Sequence, residues 1–391
     1  MIGQVQSFMD VGFRVGCRPF ANDGAAVNRC WTSCATNRSM RTIASRLRQG
    51  FPFLRGTLTL LLSGLAACCS AAESPEPRLP YIKNIRQDNL SIGGLAFVEV
   101  HLERSGAPPL SFFVSRPRRP APLLLYIQGS GCRPAFVRMG DQLVSTVFSL
   151  LPTAAQGRYT VMVVDKPLTQ DSASAGQGTA INCPTEFNAY FSFASWSRDL
   201  RQAVDIARAL PWIEAGRMRV FGMSEGAVMA ADLAGTDPAV TDVAMLGATG
   251  PSQLFDFIAA AYRSGGTDTE VSAQIEALEA TAREIASDPD NATKFAWGHP
   301  YKRWSGFLSA SSDRSLMSSN ARMYLVSGMA DRSVPILSTE ALYSDLRSAG
   351  KDVTMRRIPD ASHSLQPAGT DDLSQLDAEI KRVLDWFGSG R

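Results

Sequence analysis

The chain carries little net charge, has few histidines and lacks an apolar run long enough to cross a bilayer. Its 39 basic and 37 acidic residues leave a formal net charge of +2 and form no long runs of one sign. This pattern excludes nucleic acid as the expected partner. With 391 residues, 45% of them hydrophobic, the chain is long enough for one large globular domain or two small ones.

The N-terminal region is typical of a targeting segment. Basic residues precede the short apolar run LTLLLSGLAA, Leu58–Ala67, in the pattern of a signal peptide. This run is too short to span a bilayer. It ends in LAAC, residues 65–68, which resembles the lipobox of bacterial lipoproteins, where the cysteine is lipidated. Ordinary signal-peptidase cleavage after Ala72 is the alternative.

We therefore expect residues 40–72 to be a signal peptide and residues 1–39 to be an upstream segment of uncertain status. The protein is then exported to the periplasm or cell envelope, and a lipidated Cys68 would anchor it to a membrane. Residues 73–80 are proline-rich and predict a linker. Residues 81–391 are expected to form the folded domain.

Two cysteines, Cys132 and Cys183, remain in that domain. A metal site would need closer spacing and histidine or acidic companions, and none is expected. A disulfide is the natural prediction for two cysteines in an exported domain. Two unpaired buried thiols are the alternative.

The domain alternates apolar runs with helical segments. LAFVEVHLE and LSFFVSR predict an antiparallel hairpin, and the strands and amphipathic helices after it are typical of an α/β fold with a mostly parallel sheet. An insertion at about residues 251–320 interrupts this order. Its apolar residues keep helical spacing, which predicts a helical cap over the carboxyl edge of the sheet.

The chemistry is expected at GMSEG, residues 222–226, between an apolar strand and a helix. On such a sharp turn Ser224 exposes its hydroxyl at the sheet edge, and the flanking glycines let strand and helix approach. The helix start behind the serine stabilises developing negative charge. Ser224 is therefore the predicted nucleophile, with an ordinary tight turn as the alternative.

An unactivated serine is a poor nucleophile and needs a base and an acid. His363 lies in the loop before the last helix, where the base belongs in the chain order serine, acid, histidine. Asp331 directly follows the strand RMYLVSG and is the predicted acid. Asp360, three residues before His363, is the alternative acid. His101 falls on the polar face of the hairpin and is interpreted as solvated.

The strand ending YIQGSGC runs into a glycine loop that predicts an oxyanion hole. One backbone N–H would come from Ser130 or its neighbour Gly129, and the other from Glu225. A plain tight turn is the alternative for the loop. The side chain of Glu225 either favours the helix start electrostatically or contacts a polar or cationic substrate group.

An aromatic segment, KFAWGHPYKRW, lies within the predicted cap. Trp297, His299 and Tyr301, together with Trp304, are candidates for lining the substrate site. Their alternative role is to fasten the cap to the domain, since core packing is the commoner fate of such residues.

Residues from about 95 to 388 resemble the α/β-hydrolase superfamily. GMSEG matches the nucleophile elbow, GMADRSVP the acid loop and ASHSL the base loop, while QGSG stands in place of the usual His-Gly oxyanion motif. The hairpin, the cap and the helix before the elbow are similar to the branch with prolyl-oligopeptidase-like, dienelactone-hydrolase-like and acyl-thioesterase-like members. The resemblance implies serine-based acyl transfer to water on a small-molecule acyl substrate, without metal or organic cofactor.

The expected function is an exported serine hydrolase that cleaves carboxylic esters through a Ser-Asp-His triad and an acyl-enzyme. A peptidase or amidase with the same triad is the alternative, and a catalytically silent envelope lipoprotein is the third. A disulfide between Cys132 and Cys183 would fix one wall of the site.

Overall fold

The structure is a computed structural model that describes residues 85–92, 95–139, 142–145, 150–169, 179–367, 369–370 and 372–389. The predicted signal peptide, lipobox and linker lie outside these residues, so they stay predictions. Within the described ranges, no helix is both long enough and apolar enough to cross a membrane.

Apolar and β-branched runs form most of the strands. In chain order these are β1 (Ile85–Ile92), β2 (Leu95–Leu102), β3 (Leu110–Ser115), β4 (Ala121–Ile127), β5 (Phe136–Met139), β6 (Gln142–Ser145), β7 (Thr160–Val164), β8 (Ile213–Met223), β9 (Val240–Leu246), β10 (Phe295–Ala296), β11 (His299–Pro300), β12 (Arg322–Gly328) and β13 (Val353–Ile358).

The helices connect these strands. In chain order they are α1 (Leu150–Ala155), α2 (Thr185–Tyr190), α3 (Phe193–Arg208), α4 (Glu225–Thr236), α5 (Gln253–Tyr262), α6 (Asp268–Ser287), α7 (Tyr301–Phe307), α8 (Ser312–Met317), α9 (Ile336–Ser348) and α10 (Ser374–Gly388).

The central sheet has the strand order β1-β2-β3-β7-β4-β8-β9-β12-β13 within the described part of the chain. Pairing is antiparallel from β1 through β3 to β7. From β7 to β13 every neighbouring pair is parallel. The prediction of a mostly parallel sheet that begins with an antiparallel hairpin is therefore confirmed. The pattern does not predict β1, whose segment IRQDNLSI is largely polar and pairs with β2 at the edge.

Both faces of the sheet are covered. Along β4, Leu123, Leu125 and Ile127 belong to one buried cluster, while Leu124 and Tyr126 belong to another. Successive strand residues point to opposite faces, so these clusters lie on the two sides of the sheet. Helix α3 contributes to the first cluster and α10 to the second. Burial on both sides explains why the predicted central strands are nearly continuous apolar runs.

The insertion between β9 and β12 is helical, as its spacing predicts. It contains α5 to α8 and the short hairpin β10-β11. On α6, Val271, Leu278 and Ile285 are buried. Ile285 packs in a separate small cluster with Tyr301 and Trp304. The cap therefore has a small core of its own.

Candidate active site

Ser224 lies on a sharp turn between β8 and α4. Its backbone angles are φ 57° and ψ −121°. A non-glycine residue with positive φ is strained, and such strain is common where a side chain must be held for chemistry. The Ser224 N–H donates a hydrogen bond to the carbonyl oxygen of Leu246 at 2.8 Å, which ties the turn to the end of β9.

The glycines on either side of this turn are required by close packing. A Cβ added to Gly222 would lie 2.2 Å from the carbonyl oxygen of Gly226. A Cβ added to Gly226 would lie 2.0 Å from the carbonyl oxygen of Ile127 on β4. No side chain fits at such distances, so the motif allows α4 to start directly against the sheet.

His363 and Asp331 form a close pair. The Nδ1 of His363 lies 2.7 Å from Oδ2 of Asp331, which is fully buried. The other oxygen, Oδ1, accepts hydrogen bonds from the backbone N–H groups of Ser333 and Val334 at 2.8 and 2.9 Å. An ionised carboxylate only accepts, so Nδ1 carries the proton and Nε2 keeps its lone pair. This is the tautomer that a general base needs.

The surroundings of His363 make it a stronger base. Burial alone lowers the pKa of the imidazole, but the charge and hydrogen bond of Asp331, together with the Asp256 carboxyl, raise it above the ordinary histidine value. The ring remains 17% exposed, so it is accessible to a reacting group. Asp360, the alternative acid, is itself exposed in a turn.

Asp256 on α5 is a buried carboxyl that sequence reasoning missed. Its Oδ2 accepts a hydrogen bond from the Thr249 hydroxyl at 2.6 Å. Burial raises the pKa of Asp256 to about 7. Nothing in its sequence context distinguishes it from other acidic residues of an amphipathic cap helix. The cap thus places a further buried carboxyl near the His363–Asp331 pair.

The predicted oxyanion donors lie beside the serine. A Cβ built on Gly129 would be 3.4 Å from Cβ of Ser224 and 3.9 Å from its Oγ. Glu225 is the first residue of α4, so its N–H has no partner within the helix. Ser130 follows Gly129 directly. The role of these N–H groups stays a prediction.

The side chain of Glu225 is buried between two cations. Its Oε1 accepts a hydrogen bond from Nζ of Lys166 at 2.7 Å, and its Oε2 accepts from Nη2 of Arg303 at 2.7 Å. Burial raises the pKa of Glu225, but the two cations outweigh that effect and hold it at about 2. The carboxylate is therefore ionised and internally paired. Sequence reasoning missed both partners.

The aromatic segment packs within the cap. Trp297 lies against Phe257 with ring centroids 4.6 Å apart, and the Tyr301 hydroxyl donates to Oε2 of Glu284 at 3.1 Å. His299 is 3% exposed and Trp304 is 2% exposed. These contacts lie within the cap and are those of core packing. A substrate contact by Trp297, His299 or Tyr301 stays a prediction.

Cys132 and Cys183 are joined by a disulfide bond. Cys132 ends the glycine loop that follows β4, and Cys183 lies just before α2. The backbone N–H of Ala180 donates to the carbonyl oxygen of Gly298 at 2.8 Å. The disulfide therefore links the glycine loop after β4 to a segment that is itself bound to the cap.

The described residues contain no group of three or more His, Cys, Asp or Glu side chains arranged to hold a metal ion.

Sequence comparison matches residues 196–389 to the prolyl oligopeptidase family. The match begins in α3 and includes the Ser224 turn, the cap, and the loops of Asp331 and His363. No curated protein sequence matches this chain.

Solved structures with a similar fold include hydrolases of different bonds. An acetyl xylan esterase from Paenibacillus sp. R4 has a TM-score of 0.50 and 15% identity, covering 78% of this chain and 89% of its own. The acylaminoacyl peptidase of Pyrococcus horikoshii has a TM-score of 0.48 and 13% identity, covering 78% of this chain. This chain spans only 42% of that peptidase. At such identities the likeness concerns the fold alone.

Proposed function

Because the chain is a serine hydrolase of the α/β-hydrolase superfamily, in its prolyl-oligopeptidase-like branch, we propose that it cleaves carboxylic esters with Ser224 as nucleophile. The observation that carries this proposal is the turn at Ser224, whose strained backbone presents the hydroxyl directly after the sheet edge. The Asp331–His363 pair supplies an oriented base.

In the proposed reaction, Ser224 Oγ attacks the acyl carbon while Nε2 of His363 takes the hydroxyl proton. Asp331 keeps Nδ1 protonated and stabilises the imidazolium that forms. Backbone N–H groups of Ser130 or Gly129 and of Glu225 stabilise the tetrahedral oxyanion. Its collapse releases the alcohol, which takes the proton from His363. Water, deprotonated by the same histidine, then cleaves the acyl-enzyme to the acid.

The charge around the proposed nucleophile favours uncharged acyl groups over peptides with a free amino terminus. An exopeptidase has to bind a charged peptide terminus close to the scissile bond. The acidic residue next to the nucleophile, Glu225, is 1% exposed and already bound by Lys166 and Arg303. It is therefore not available to a substrate amine. An uncharged acyl group fits such a site better than a peptide with a free amino terminus.

A peptidase or amidase is the second candidate. The family match over residues 196–389 favours it, since the matched family is that of prolyl oligopeptidase. The Ser-Asp-His constellation itself serves amides and esters equally well. The two activities are therefore distinguished by substrate preference rather than by the triad.

The test combines active-site labelling with a substrate screen. We expect a fluorophosphonate probe to label the wild type and to leave Ser224→Ala unlabelled. Ser305→Ala, a serine variant on α7, is the control that keeps full labelling. Nitrophenyl esters of short and long acids are compared with aminoacyl amides, and Ser224→Ala should lower kcat/KM by about 10⁴-fold or more. Full labelling of Ser224→Ala refutes the nucleophile, and a preference for amides replaces the ester proposal by the second candidate.

Export is also proposed, with Cys68 as the lipid anchor. The Cys132–Cys183 disulfide supports export, because disulfides persist mainly in oxidising compartments. Mass spectrometry of the N-terminus of the protein expressed in bacteria tests this: a diacylated Cys68 is expected. An unprocessed N-terminus would overturn export, and cleavage after Ala72 would overturn the anchor.

A further inference from the structure

A buried lysine connects the glycine loop to the helix that carries the nucleophile. Lys166, two residues after β7, is 1% exposed, and its Nζ has three acceptors. These are the carbonyl oxygens of Gly129 and Gly131 at 2.7 and 3.0 Å and Oε1 of Glu225 at 2.7 Å. An ammonium has three N–H donors and no acceptor, so this set satisfies it completely. A single side chain thus holds both sides of the predicted oxyanion hole.

The direction of the Gly129 carbonyl fixes the direction of the next N–H. In a trans peptide the C=O of one residue and the N–H of the following residue belong to one plane and point in opposite directions. Lys166 holds the Gly129 oxygen on its own side, so the Ser130 N–H of the same peptide points away from the lysine. Gly129 itself lies next to the Ser224 side chain.

Such a loop needs an external constraint. Glycine populates many backbone conformations, and the Gly-Ser-Gly sequence leaves this peptide free to rotate in the absence of contacts. Two sets of contacts supply this constraint. Lys166 binds the loop, and Glu225 binds Lys166 while Arg303 on α7 donates to Glu225 from Nε at 3.0 Å and Nη2 at 2.7 Å. Gln253 on α5 accepts a further hydrogen bond from Arg303 at 3.0 Å.

We propose that Lys166 is a positioning residue for the transition state, holding the Gly129–Ser130 peptide so that its N–H serves the oxyanion. The assignment rests on the proposed serine hydrolase function. Glu225 and Arg303 position the lysine in turn. Donors held in place before the reaction stabilise the transition state more than the ground state, because they need no reorganisation as charge develops. Loss of Lys166 therefore lowers kcat far more than it changes KM.

The charge balance of this cluster supplies a matched comparison. It contains two cations, Lys166 and Arg303, around the carboxylate of Glu225. Lys166→Met and Arg303→Met each remove one positive charge and leave a neutral ion pair, so neither variant isolates a buried carboxylate. Only Lys166→Met removes the hydrogen bonds to the loop. The pair of variants separates loop positioning from the loss of a buried charge.

The experiment measures kcat and KM of these variants on the best nitrophenyl ester. Lys166→Met should lower kcat about 100-fold with KM within about threefold, as expected for loss of an oxyanion donor. It should weaken inhibition by an alkylboronic acid, which forms a tetrahedral adduct on serine, about as much as it lowers kcat. Arg303→Met should lower kcat less than about tenfold. The kcat of Lys166→Gln, which has a shorter uncharged donor, should lie between those of wild type and Lys166→Met. Lys166→Gln is the variant used for the test if Lys166→Met does not fold.

The outcomes separate this inference from the proposed function. Equal losses in Lys166→Met and Arg303→Met, or a Lys166→Met kcat within threefold of wild type, would overturn the positioning role while leaving an active hydrolase. If Lys166→Met does not fold, a folded Lys166→Gln with wild-type kcat overturns it as well. A wild type that neither labels with fluorophosphonate nor cleaves any ester or amide overturns the proposed function itself.

Discussion

Breaking the Cys132–Cys183 disulfide should lower the thermal stability of the protein by several degrees. The two cysteines are 51 residues apart in sequence. For a closed loop of that length, the chain-entropy relation gives about 14 cal/mol/K, or about 4 kcal/mol at 25 °C. Average unfolding entropies for a domain spanning residues 85–389 amount to about 0.6 kcal/mol/K. The expected decrease in Tm is therefore about 6 °C.

Calorimetry of Cys132→Ala, Cys183→Ala and the double variant in oxidising buffer measures this decrease. Alanine is chosen because Cys132 is fully buried and a serine there would bury an unpaired hydroxyl. The reduced wild type is the matched control: a reductant should bring its Tm down to that of the double variant and leave the double variant unchanged. A Tm within 1 °C of wild type for both single variants would refute the reasoning.

Two further predictions concern His363. Gly247→Ala should lower kcat/KM at least about tenfold, because a Cβ at this position would lie 2.8 Å from Cε1 of His363 and misplacement of a catalytic group is costly. Gly350→Ala is the control, since Gly350 also has a positive φ but an added Cβ there would have no atom within 4 Å. Equal kcat/KM values in the two variants would contradict the clash. Asp256→Asn should move the acidic limb of the kcat/KM profile to lower pH, since the Asp256 carboxylate raises the pKa of His363. The pKa of Asp256 in the folded protein, about 7, lies above its unfolded value, so the contribution of Asp256 to stability is lost as pH rises from about 4 to 7. Over this range the stability of Asp256→Asn should change less unfavourably than that of wild type, and profiles and melting curves identical to wild type would contradict this.

The strands were predictable where their own residues form a run bounded by turn residues. RMYLVSG coincides with β12, because an apolar run of that length bounded by turn residues has few alternatives in a sheet covered on both faces. VTMRRI coincides with β13, an edge strand of mixed composition in which Val353 and Ile358 are buried. The strand β1 has no such pattern. Its pairing with β2 is a tertiary event at the sheet edge, and polar residues are tolerated there.

The pairing of His363 with Asp331 was predictable for a related reason. The segments before Ser224, Asp331 and His363 are parallel strands, and the carboxyl ends of parallel strands meet at one edge of the sheet. Residues in the loops that follow those strands are therefore expected at the same edge even though they are far apart in sequence. The hydrogen bond between His363 and Asp331 is the outcome of that rule.

The partners of Glu225 follow no such rule, since Lys166 and Arg303 are 59 and 78 residues away and lie in a loop and in the cap. The sequence nevertheless indicates that the helix beginning with Glu225 is buried. The helix EGAVMAADLAGT is apolar nearly all round, so it must be buried, and a buried carboxylate at its start requires a cation. Our sequence analysis did not predict such a cation, and only the packing of the cap and of the loop after β7 decides which cations approach Glu225. Lys166 binds both the glycine loop and Glu225, and Arg303 of the cap binds the same carboxylate. The Glu225 side chain thus connects the proposed oxyanion loop, α4 and the cap. Substitutions of Arg303 on α7 should therefore affect the reactivity of Ser224, the proposed nucleophile.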